Sequence, residues 1–176
     1  MSNLFIGMIF VFLGFNITFG SSKFDILPDF IGFYLIFKGL EELQDKSDNF
    51  TKVKSFAFGL TIYSFIIFII NLFAASYSIG YLGVLLGIAY TIILIYTSYK
   101  IILGITDIEV NHNVFLNSQK LMYNWRIMII FNILIFLTLF IPFISIVFLI
   151  LNIVFTILYL ISFNESKNLY YQNNII

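Results

Sequence analysis

Long apolar runs separated by short polar stretches dominate this chain. A helix needs roughly 20 mostly apolar residues to cross a hydrocarbon core about 30 Å thick. Six segments approach that length: Leu4–Gly20, Ile26–Leu40, Ser55–Ser76, Gly80–Leu103, Met122–Ile141 and Phe143–Phe163. The third, fourth and sixth are uncharged through their middles. The fifth carries Arg126 near its start, where a long cationic side chain reaches the interface. The second is short and holds Pro28, Asp29 and Lys38. The pattern predicts an all-α integral membrane bundle of six transmembrane helices arranged as three hairpins, over residues 1–163, with a short polar tail over 164–176.

The cations support counting the second segment as a span. With six crossings, one side collects Lys38, Lys46, Lys52, Lys54, Lys100, Lys120, Arg126 and Lys167, leaving only Lys23 opposite. The positive-inside rule then puts both termini in the cytoplasm. A re-entrant second segment would instead place Lys23, Lys38, Lys46, Lys52 and Lys54 opposite the N-terminus, and neither orientation would satisfy the rule well. Tyr123 and Trp125 beside Arg126 fit an inner interface. The N-terminal stretch lacks the basic start and small-residue cleavage site of a signal peptide.

Composition agrees with lipid as the solvent. Hydrophobic residues make up 61% and charged residues 10%, against about 25% charged in a soluble domain. Mean hydropathy is +1.03. The net charge is zero, with no basic patch to follow a phosphate backbone, so no nucleic-acid partner is expected. The absence of cysteine excludes disulfides, thiolate nucleophiles and Cys-ligated metal.

Few residues carry candidate chemistry. Pro28 and Asp29 read as a helix start, the proline near the first helical position and the acid at the positive end of the dipole. The sharper alternative makes Asp29 an intramembrane acid on an ion or solute path. Asn132 and Asn152 are each ten residues from Pro142, so a hairpin brings them to equal depth. There they either bond the two helices or line a polar cavity with Asn71, Thr138 or Thr156. Gly7 and Gly14 repeat at the spacing of Gly32 and Gly39, which predicts close packing of the first two helices. Gly83 and Gly87 form a GxxxG match in the fourth segment.

The 41–54 stretch sets Glu42 against Lys46 and Asp48 against Lys52 at i,i+4 spacing, which predicts that the second helix continues into the cytoplasm. Lys52 and Lys54 suit anionic headgroups there. Glu41-Glu42 lacks the arginine and the histidines of an intramembrane metalloprotease. His112, alone in a polar loop, makes a poor metal site. Ile105, Ile108 and Phe115 suggest a short interfacial helix. No catalytic, metal or cofactor constellation is expected.

The run Leu27-Pro28-Asp29-Phe30-Ile31-Gly32 resembles a segment of small uncharacterised polytopic membrane proteins of low-GC Gram-positive bacteria. That resemblance implies a bacterial cytoplasmic membrane protein and transfers no catalytic residue. Two functions remain open. The first is a non-enzymatic accessory or interaction protein that binds another membrane protein or itself. The second is a small-solute transporter or the solute-binding subunit of one, with Asp29, Asn71, Asn132 and Asn152 as its candidate polar positions.

Overall fold

The structure, a computed structural model, describes residues 1–14, 16–19, 22–25, 27–73, 80–138 and 140–173. Helix α1 (Ser2–Phe12) leads into strands β1 (Asn16–Phe19) and β2 (Ser22–Asp25). Helices α2 (Asp29–Leu43), α3 (Asp48–Phe73), α4 (Gly80–Asn111), α5 (Ser118–Leu137) and α6 (Pro142–Gln172) follow. The chain divides into two compact units, Met1–Gly104 and Ile105–Ile176.

Among the described residues, four helical stretches are long and apolar enough to cross a membrane: Asp48–Asn71, Leu85–Asn111, Ser118–Leu137 and Pro142–Gln172. The shortest has 20 residues, about 30 Å of helix. The first two expected spans fall short of this. With 11 and 15 residues, α1 and α2 extend only about 16 and 22 Å.

The first expected span, Leu4–Gly20, is corrected by a change of period. After Phe12 the sequence leaves the helical repeat and alternates, polar then apolar, through Asn16-Ile17-Thr18-Phe19. Strands β1 and β2 pair antiparallel, Asn16 opposite Asp25 and Phe19 opposite Ser22. Alternation of period two is a strand signal even beside a helix. Residues 20 and 21, the connection between the strands, lie outside the described residues. So do the expected end of the third span at Ser76 and its connection Tyr77–Ile79.

The expected extension of the second helix is also corrected. Helix α2 ends at Leu43, and a 3-10 turn covers Gln44–Lys46. Ser47 is extended, and its Oγ accepts the Asn49 N–H at 3.1 Å. That N-cap, with Asp48 in the first turn, starts α3 well before the expected Ser55. Glu42 accepts a hydrogen bond from Asn3 Nδ2, which fixes the start of α1 beside the end of α2.

In the first unit α1 packs antiparallel on α2, which packs on α3. Leu4, Met8, Phe33, Ile36, Leu40, Phe50 and Val53 are fully buried. Glycines set the α1–α2 spacing. A Cβ at Gly7 would lie 2.6 Å from the Gly32 carbonyl oxygen, and one at Gly39 would lie 2.7 Å from the Leu4 backbone nitrogen. Gly104 makes the same kind of room on α4, for the ring of Phe50.

The second unit is built around the α5–α6 hairpin. Pro142 occupies the first turn of α6, where its missing N–H costs nothing. Helix α5 stops at Leu137, short of the expected Ile141. Thr138 Oγ1 donates back to the Leu134 carbonyl at 2.7 Å, and Ser145 Oγ donates to the Thr138 carbonyl. Helix α6 continues past Phe163 to Gln172, so much of the expected tail is helical. The expected interfacial helix is absent as a separate element. Ile105 and Ile108 belong to α4 and are buried, while Phe115 is exposed in the following loop. Asn113 and Asn117 turn that loop with positive φ of 50° and 61°.

Candidate functional site

Asp29 stands in the first turn of α2, half-buried, behind a Pro28 that takes the N-cap position. Its Oδ2 accepts a hydrogen bond from the Tyr90 hydroxyl of α4 at 3.2 Å. The Tyr90 ring meets Phe33 edge-on at 5.8 Å and lies 5.6 Å from the Tyr63 ring. Asp29 therefore joins α2 to α4 through a tyrosine that aromatic contacts hold in place. A carboxylate at a helix N-terminus is also stabilised by the dipole.

Beside this cluster, α3 and α4 border a partly open apolar cavity of about 300 Å³. Phe56, Gly59 and Tyr63 line it from α3, and Leu86, Tyr90 and Ile93 from α4. Ser55, also on the wall, marks the end nearer the Ser47 cap. A Cβ at Gly59 would meet nothing within 4 Å, so this part of the wall has room for a side chain. Lys52, which is exposed, stands one turn before Ser55 on α3, and Lys100 stands two turns beyond Ile93 on α4. The Lys100 ammonium donates to Asn49 Oδ1 at 3.1 Å and lies 5.9 Å from the Tyr96 ring centre.

The polar seam of the second unit differs from the one expected. Asn152 Nδ2 donates to the Met128 carbonyl at 2.9 Å rather than to Asn132. Met128 is one turn before Asn132 on α5, so the two amides share a depth but not a bond. The buried amide is Asn124. Its Nδ2 donates to Ser162 Oγ at 2.7 Å, and that hydroxyl donates to the Leu158 carbonyl at 2.9 Å. Sequence reading passed over Asn124 because Tyr123, Trp125 and Arg126 mark an interface. Ser162, one helical face with Thr156 and Tyr159, was the available signal. Trp125, expected at the inner boundary, is buried, and Tyr123 is exposed.

The other expected positions separate cleanly. Asn71 is exposed near the end of α3. Gly7, Gly32 and Gly39 make the close α1–α2 approach. Gly14 only reaches ordinary contact distance, with Asp29 Oδ1 3.8 Å from a Cβ built there. Nothing lies within 4 Å of a Cβ at Gly87. Gly83 lies one turn before it on α4, and the side chains flanking Gly83 are outside the described residues.

Ions gather at helix ends in both units. Glu41 takes Lys38 at 2.8 Å and Lys54 at 3.5 Å, and the Lys38 hydrogen bond and charge hold the Glu41 carboxyl below its ordinary range. In the second unit Glu165 pairs with Lys120 at 2.8 Å and accepts from Asn117, while Glu109 Oε2 accepts the first N–H of α5 from Ser118. His112 is exposed in the loop between α4 and α5. Among the described residues no three His, Cys, Asp or Glu side chains converge as a metal site.

No family model, curated protein or solved structure matches the chain.

Proposed function

We propose that this chain is a multi-pass protein of the bacterial cytoplasmic membrane that acts without catalysis, by binding another membrane protein or a second copy of itself. Its helices are apolar enough for the bilayer, and their outward faces carry bulky apolar residues such as Ile133, Phe136, Leu149 and Ile153. The observation that carries the reading is the unequal use of glycine. Gly7, Gly32 and Gly39 are consumed by packing within the chain, while Gly87 on α4 has open space before it. In lipid, helices associate by close contact at small residues, so a vacant small-residue face suits an incoming helix.

The transporter reading has less support. Asn152 is committed to a backbone carbonyl, Asn124 to a serine, and Asn71 is exposed, so these amides do not converge on one cavity. The resemblance of the Leu27–Gly32 run to proteins of low-GC Gram-positive bacteria supports the bacterial assignment only.

We place six crossings in the bilayer with both termini inside, the short α1–α2 pair crossing with its β-ribbon in the outer headgroup region. Ribbon edges leave backbone groups unpaired, which hydrocarbon does not tolerate. The natural absence of cysteine makes single-cysteine labelling direct. Lys23→Cys reacts with an impermeant maleimide on intact cells under this threading, while Thr51→Cys and His112→Cys react only after lysis. Labelling of either of the last two from outside overturns the orientation.

Cross-linking in native membranes followed by purification tests the interaction. The expected result is a defined cross-linked partner or dimer that Gly87→Leu abolishes. A strictly monomeric species with no cross-link refutes it.

A further inference from the structure

We propose that the α3–α4 cavity is a binding site for an anionic phospholipid of the cytoplasmic leaflet, with one acyl chain along the cavity and the phosphate between Lys52 and Lys100. The inference rests on the membrane placement above and assigns a ligand to a surface which that placement leaves unexplained.

Helical spacing aligns the parts. On α3, Lys52, Ser55, Phe56, Gly59 and Tyr63 fall at i, i+3, i+4, i+7 and i+11, one continuous face. On α4, Leu86, Tyr90, Ile93 and Lys100 fall at i, i+4, i+7 and i+14, again one face. The two faces run antiparallel: Phe56 meets Tyr96 at 5.6 Å, Tyr63 meets Tyr90 at 5.6 Å, and Lys100 reaches Asn49. Both apolar walls therefore end at a lysine, and the two lysines fall at the same end.

Depth and charge suit one occupant. From Ser55 to Tyr63 the wall is about 12 Å long, room for much of an acyl chain. The lining is almost wholly apolar, with the Ser55 hydroxyl at the charged end. Neither lysine pairs with a carboxylate among the described residues, whereas Lys38, Lys54 and Lys120 do. Asp48 precedes Lys52 by one turn on α3 and is exposed on the aqueous side. A detergent-like neutral chain would use the cavity but not the cations. A free anion would use the cations but not the cavity. An anionic phospholipid uses both.

The test is native mass spectrometry of the full chain released from nanodiscs of mixed phosphatidylglycerol and phosphatidylcholine. The parent is expected to retain phosphatidylglycerol preferentially. Lys52→Gln and Lys100→Gln should each lower that preference about fivefold, the contribution of one basic residue at an anionic surface. Gly59→Leu puts a bulky side chain into the open space on the cavity wall and should reduce retention of both lipids. Lys120→Gln, at an ion pair in the other unit, should leave the preference intact. Equal retention of the two lipids by the parent overturns the site. So does a preference that survives both lysine changes, or one that Lys120→Gln abolishes equally. Flotation of the parent with pure phosphatidylcholine vesicles separates the two layers of inference. Failure to float overturns the membrane placement, whereas flotation without lipid preference overturns only the lipid site.

Discussion

Replacing Gly7 by alanine should loosen the α1–α2 pair, and the size of the effect follows from one distance. The new Cβ would lie 2.6 Å from the Gly32 carbonyl oxygen and 2.9 Å from the Ile36 nitrogen. Both are backbone atoms of α2, so no side chain can rotate away. Restoring ordinary contact at 3.4 Å moves the helices apart by about 0.8 Å. A gap of that size forfeits a quarter to a half of each dispersion contact along the seam, and overpacking of this kind typically costs about 1–3 kcal/mol. Alanine returns about 1 kcal/mol through its better helix propensity. The expected net effect is a loss of up to about 2 kcal/mol. Gly59→Ala is the control with the opposite sign: with nothing within 4 Å of its Cβ, only the propensity gain remains, about 0.5–1 kcal/mol. Titration with SDS in mixed micelles, followed by far-ultraviolet circular dichroism, reads both variants against the parent. If Gly7→Ala gains stability as Gly59→Ala is expected to, or Gly59→Ala is less stable than the parent, the glycine-spaced pair is wrong.

Other substitutions test other parts of the fold. Asn124→Leu should cost about 0.6–2 kcal/mol in the same titration, as expected for a bond between helices in lipid, while Asn132→Leu, which makes no bond to Asn152, should change stability by less than about 0.5 kcal/mol. Asp29→Asn should lower stability by about 0.3–1 kcal/mol through the lost dipole interaction. Combining Asp29→Ala with Tyr90→Phe should give less than the sum of the two single changes, because the pair shares one hydrogen bond; full additivity counts against that bond. Lowering the pH should weaken the Lys38–Glu41–Lys54 cluster. Glu41 has a folded-state pKa depressed below its ordinary 4.5, so its contribution is present above 4.5 and is lost as pH falls through the folded value. Glu41→Gln should flatten that part of a stability–pH profile measured by thermal melting.

Long-range apolar pattern carried the helical class, and local detail was legible only where one signal stood alone. The long third, fourth and sixth segments held because nothing in their middles competes with helix in lipid. Leu4–Gly20 failed because total hydropathy does not separate a helical repeat from the alternation that begins at Asn16. The break at Ser47 was hidden by salt-bridge spacing, since Glu42–Lys46 and Asp48–Lys52 fit a continuous helix as well as two helices meeting at a serine cap. For the α5–α6 seam, sequence fixes depth through distance from Pro142, but which amide faces the partner depends on helix rotation. That is why Asn152 reaches Met128 and the buried position belongs to Asn124. The α3–α4 cavity was the least legible feature, because Phe56, Tyr63 and Tyr90 look like any other lipid-facing aromatics until two helices bring them together.

Orientation and the number of spans are separate questions in this chain, and the short first pair shows why. Asn3 bonds Glu42, so the start of α1 and the end of α2 share a side whether the pair crosses fully or doubles back. Either outcome leaves the four longer helices with the same threading. Among the cations, the two cases then differ only in the placement of Lys23. A crossing pair would put it outside and leave eight basic residues within, while a returning pair would leave the same eight within and none outside, with Lys23 at depth. Both satisfy the positive-inside rule. The proposed six crossings rest on hydrocarbon favouring one of them: a doubled-back pair would hold the β-ribbon at depth, with its edge N–H and C=O groups away from water unless other protein covers them. A crossing pair would bring the same ribbon to the polar headgroup region. In the proposed topology, threading would therefore follow from where the cations lie, and span number from where an unpaired backbone edge can be solvated.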